Sequence, residues 1–173
     1  DPAEFAALRA NVLNRIGEPV VARSLVQDVD TANYNAALVD AAFASYVATS
    51  DILGICPATR LHGNIRNDPE WQLAQSICDA YAGEGNSSKT DLRRARNKQI
   101  APMIDVLLAQ RFANAAGEAR GAVTIEWDKV SELNPWRFSL ANALGVAIPD
   151  KLMNNAPAYY WRSAAIAPML PLA

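Results

Sequence analysis

Residues 83–90 read Gly83-Glu84-Gly85-Asn86-Ser87-Ser88-Lys89-Thr90, close to the spacing G-x-x-x-x-G-K-[ST] that cradles nucleotide phosphates. In that pattern the second glycine lets backbone amides converge on phosphate oxygens, and the lysine reaches the terminal phosphates. Ser88 stands where that glycine belongs, the segment follows a helical pattern instead of an apolar strand, and no strand ending in an acid is present to hold magnesium. The composition reads as an inter-helix loop. Directly after it, Lys89, Arg93, Arg94, Arg96 and Lys98 outnumber the single acid Asp91, so residues 88–98 carry +4 in a chain whose net charge is −2. Such a run attracts phosphates, an acidic partner or anionic headgroups, or is only the solvated face of a helix. No RNA-binding aromatic motif or DNA-binding pattern accompanies it, which argues against nucleic acid.

His62, Cys56 and Cys78 are the nearest approach to a zinc set, but the close cysteine pair that marks zinc modules is missing, so neither metal nor cofactor is expected. His62 is also the only histidine. It could act as a base beside Asp68 or Glu70, or simply decorate a loop. No serine lies in a G-x-S-x-G elbow, which leaves an Asp/Glu-only mechanism as the form an enzyme would take here. In the C-terminal third, Trp127, Trp136, Tyr159, Tyr160 and Trp161 gather as fillers of a small core or as a surface for a ligand or a protein partner. The three consecutive rings cannot all face inward on one helix, so at least one is expected at a boundary.

The two cysteines fit one disulfide, closing a loop of about 20 residues in an oxidising compartment. The alternative is two reduced, buried thiols in the cytoplasm. The chain starts Asp1-Pro2 without a methionine, as removal of a signal peptide or a trimmed chain would produce. Its apolar end, residues 168–173, reads as a point where a parent chain continues or was cut. With the disulfide, this favours a periplasmic or secreted protein.

These residues must be positioned by helices. The chain has 173 residues, enough for one domain with its own core. Hydrophobic residues make up 51% of it, with Ala, the best helix former, prominent among them. No apolar run is long enough to span a membrane. Three segments open on an Asx-Pro pair, Asp1-Pro2, Asp68-Pro69 and Asn134-Pro135. The Asx side chain caps free amides, and proline at the first helical position loses no needed donor. Phe5, Trp71 and Trp136, each within a first turn, are expected to anchor those helix ends to a core.

Helices are predicted over 3–16 (Phe5, Leu8, Val12 and Ile16 at helical spacing), 19–29, 31–48, 69–82 and from 90 with a break at Pro102, followed by short ones over 128–133, 135–144, 149–154 and from 157. Residues 31–48 are apolar almost all round, as in a helix buried centrally. Residues 54–67 and 83–88 are predicted to be irregular. Residues 121–127 alternate Val123, Ile125 and Trp127 with Thr124 and Glu126, a single strand pattern, and are read as an extended linker, half of a small hairpin or a pairing edge for a partner.

The expected fold is therefore all-α: an irregular orthogonal bundle of six to eight helices, several short and Pro-started, with one extended segment near 121–127. It forms a single domain over 1–173, with 1–117 as a main bundle and 118–173 as a satellite if it divides. For function, the sequence favours a non-catalytic interaction module of an exported protein, working on another protein through helix faces or residues 121–127. A domain binding a small apolar ligand or lipid through the C-terminal aromatics and a carboxylate-based enzyme are the alternatives.

Overall fold

The computed structural model describes residues 1–117 and 121–166. Those residues form an all-α bundle. Its helices are α1 (Pro2–Arg15), α2 (Pro19–Gln27), α3 (Ala36–Ala48), α4 (Cys56–Leu61), α5 (Pro69–Tyr81), α6 (Gly85–Asn97), α7 (Met103–Asn114), α8 (Pro135–Leu144), α9 (Asp150–Met153) and α10 (Ala158–Ile166), with 3₁₀ turns at Thr31–Asn33 and Ile52–Ile55.

All three Asx-Pro caps form. Asp1 accepts from the Ala3 amide at 2.9 Å, Asp68 from Trp71 at 3.2 Å and Asn134 from Arg137 at 2.9 Å. A fourth cap, Asn35 accepting from Leu38 at 2.9 Å, starts α3 and separates it from the 3₁₀ turn, so residues 31–48 are not one helix. Gly145, in the left-handed region at φ 66°, ends α8.

Helix α3 is the centre of the bundle, with Leu38, Val39, Phe43, Tyr46 and Val47 all buried. It packs against α1, α2 and α8. Helix α1 meets it through small side chains, Ala3, Ala6, Ala7 and Ala10, and Asn14 donates to Ser45 at 3.1 Å. Trp71 and Trp136 are fully buried and both pack on Phe43, as core anchors should. Phe5 corrects the expectation for the first helix: it is 62% exposed, because the alanine face takes the place against α3.

Gly54 brings its backbone against the ring of Tyr46, where a Cβ would overlap the ring. His62 ties the end of α4 to the first 3₁₀ turn: its Nε2 lies 2.7 Å from the Thr31 carbonyl oxygen and its ring stacks on Tyr34. Other departures from the predicted elements are local. The segment 54–67 contains α4, started by Cys56-Pro57, and the glycine-rich stretch winds into α6 from Gly85. Pro102 separates α6 from α7 as predicted. No helix forms over 128–133.

Residues 121–127 carry no regular structure, and no strand is present among the described residues. Val123, Ile125 and Trp127 are half-buried, while Thr124 and Glu126 are exposed, as the alternation predicts. Beyond this linker, Trp136, Leu140, Ala141 and Leu152 belong to the main core, whereas Phe138, Met153 and Tyr160 form a small second cluster. One buried ion pair joins α7 to α8. Asp105 accepts from Arg137 Nε at 2.8 Å and Nη2 at 3.3 Å, and Arg137 Nη1 donates to the Glu132 carbonyl at 2.9 Å.

Candidate functional site

Two surface features stand out, a groove and an exposed apolar face. The groove, about 1190 Å³, runs between α4, α5 and α6. Cys56 and Cys78 are joined by a disulfide and line it, so the bridge holds α4 against α5 at the groove wall. Its charged lining is balanced, with Asp79, Glu84 and Asp91 against Arg60, Arg94 and Lys98.

Burial pushes the Asp79 carboxyl up, the nearby charges of Glu84 and Asp91 push it further, and Arg60 opposes them. A carboxyl with a raised folded-state pKa binds its proton more tightly when folded. Its charged form therefore opposes folding at neutral pH, and that cost disappears as pH falls through the folded value. Asp79→Asn is accordingly expected to stabilise the protein at pH 7 by up to about 1 kcal/mol, with the gain vanishing on acidification. Thermal melts of both proteins between about pH 4 and pH 8 check this, and a gain that persisted in acid would contradict the stated cause.

The apolar face lies elsewhere. Phe5, Leu8, Val12 and Ile16 form a stripe along the outside of α1, and Val20 and Val21 continue it onto α2; all six are about half exposed or more. They include most of the large hydrophobic side chains left exposed among the described residues, the others being Leu61, Tyr81, Met103 and Trp161. Together they present on the order of 500 Å², near the upper end of what a monomer leaves uncovered. Around them stand the exposed polar residues Glu4, Arg9, Asn11, Arg15, Glu18 and Ser24, and the Arg9 guanidinium lies 5.6 Å from the Phe5 ring centroid.

The residues singled out from sequence do not converge. Lys89, Arg93, Arg94 and Arg96 are exposed on α6 and Lys98 just past its end; Arg94 pairs with Asp91 at 3.2 Å, and of the five only Arg94 and Lys98 reach the groove. Ser88 is buried within α6, so its side chain does not face a phosphate loop. Trp136 and Tyr160 are buried, Tyr160 stacked on Phe138 with centroids 4.4 Å apart. Trp127 and Tyr159 are half-buried, and Trp161, the ring expected at a boundary, is exposed. Among the described residues no three His, Cys, Asp or Glu side chains gather as a metal ion would need.

The α1–α2 face was hidden because its period is also that of a core-facing helix. The groove was hidden because the angles at which three successive helices pack build it, and no residue pattern encodes those angles. Fold and surface together define an all-α bundle with one disulfide, a charged groove and an uncovered apolar helix face. Compared with known proteins, the chain significantly matches no family model, no curated protein and no solved structure.

Proposed function

We propose that the protein is a non-catalytic interaction module of an exported protein, and that it binds a protein partner through the outer face of α1 and α2. One observation carries this reading: α1 turns its alanines to the core and its large apolar side chains to the solvent. Burial of those side chains is favourable by about 25 cal/mol per Å² of apolar surface, so leaving them out is costly unless something covers them. The disulfide supports export, because such bonds persist in oxidising compartments, and no described helix is long and apolar enough to cross a membrane.

The enzyme reading draws less support. General acid–base chemistry needs paired groups whose environments push their pKa values apart, whereas in the groove burial pushes the Asp79 carboxyl and the Tyr81 hydroxyl the same way, up. The small-ligand reading is weakened in turn because Phe43 packs against Trp136 and Phe138 against Tyr160.

A photo-cross-linking residue at Leu8, with one at the exposed Asn97 of α6 as control, tests the contact surface in the native host. Discrete adducts identified by mass spectrometry are expected from position 8 alone. Val12→Glu should lower their yield at least about tenfold, since it forces a charge into a dry contact. Equal yields from both positions, or none from position 8, would overturn the reading.

A further inference from the structure

The geometry points to a second copy of this chain as the partner, docked on the α1–α2 face with the two α1 helices antiparallel. This inference rests on the reading of that face as a contact surface. It comes from the order of residues along α1. Eleven residues make about three helical turns, so residues eleven apart stand on the same flank at opposite ends. Phe5 and Ile16 are such a pair, and so are Glu4 and Arg15.

A two-fold axis perpendicular to two antiparallel helices keeps each flank on its own side and exchanges the ends. It therefore sets Phe5 of one copy opposite Ile16 of the other, Leu8 opposite Val12, and Glu4 opposite Arg15, all centred on the level of residue 10. Every contact is made twice, as an isologous interface requires. The charges agree with this direction. Glu4 is the acid of the first turn and Arg15 the base of the last, so antiparallel packing joins opposite charges and opposite helix dipoles. A parallel pair would carry Glu4 and Arg15 of the second copy to the opposite flank, so the opposite charges would not meet. The one like-charged approach in the antiparallel pair, Arg9 with its copy, is eased because each guanidinium lies over Phe5, away from the centre.

The area fits as well. On the order of 500 Å² of apolar surface, with the polar rim of Glu4, Asn11, Arg15, Glu18 and Ser24, approaches the roughly 800 Å² per partner of a standard interface. The apolar share then resembles the roughly 65% found in homodimer contacts. Val20 and Val21 widen the contact beyond a single helix pair.

Sedimentation equilibrium on the full chain tests this, with circular dichroism to show that each variant is folded. The wild-type chain is expected to form a dimer, and Leu8→Glu to weaken it at least about a hundredfold. Glu4→Arg and Arg15→Glu should each weaken it about fivefold to tenfold, and the double swap should restore it to within about twofold. That rescue is specific to the antiparallel register. A monomer up to about 1 mM, a dimer indifferent to Leu8→Glu, or a swap that fails to restore association would overturn the inference. If the chain is monomeric while position 8 cross-links a different protein, the second copy falls and the contact-surface reading stands. If position 8 cross-links nothing, both fall.

Discussion

Arg137→Ala is expected to destabilise the protein by about 3–5 kcal/mol, out of a total that for a domain of this kind is about 5–15 kcal/mol. Arg137 and Asp105 are both nearly inaccessible, and the guanidinium contacts both carboxylate oxygens and the Glu132 carbonyl. Removing it strands a buried carboxylate, where water cannot replace the lost donors. Burial pushes the Asp105 carboxyl up and Arg137 pulls it down. Without Arg137 the folded-state pKa climbs further, and the group binds a proton more tightly in the folded protein. The destabilisation is therefore greatest at neutral pH and shrinks as pH falls through the folded value. Urea denaturation of the variant at two pH values checks both the size and the sign. The double variant Asp105→Leu/Arg137→Met should recover most of the loss, since an apolar pair of similar volume leaves no buried charge. A single variant as stable as the wild type would show that the pair does not fasten α8 to α7.

How much of this was readable in the sequence depends on how local each cause is. The caps at Asp1, Asp68 and Asn134 are set by neighbouring atoms, so residue types alone predicted three helix starts. The apolar girdle of α3 likewise marked the central helix, and the alternation over 121–127 marked the extended linker. Cys56-Pro57 carried the same proline signal as the other starts, but the surrounding Gly54 and Gly63 made the segment resemble a loop. For α1 the sequence offers two stripes of helical period, alanine and large apolar. Which turns inward depends on how closely α1 can approach Ala41, Ala42 and Ser45 of α3, and that is a tertiary property. Asp105 did leave a trace, as a lone acid inside the run Ile104–Ala109. Its partner 32 residues away did not. The groove left none, because no spacing along the chain encodes the meeting of α4, α5 and α6.

The disulfide should have the second largest effect. Replacing both cysteines, Cys56→Ala/Cys78→Ala, is expected to cost about 3 kcal/mol, because the bridge closes a span of 22 residues and restricts the unfolded chain. For a protein of this size that is a fall in melting temperature of about 6–12 °C. The folded state should survive the loss, since α4 and α5 are also joined through their connecting segment. Trp71 Nε1 donates to the Gly63 carbonyl at 2.9 Å, and Gln75 Nε2 donates to the same oxygen at 3.0 Å. Calorimetry with and without reductant separates the contributions. The wild-type chain should shift down in reductant to the value of the double variant, and the variant should not respond. A wild-type melt unmoved by reductant, with both thiols shown to be free, would mean that folding does not draw on the bridge, and the argument for an oxidising compartment would go with it. The expected shift instead ties stability to compartment: the same chain keeps its full stability outside the cytoplasm and loses about 3 kcal/mol inside it.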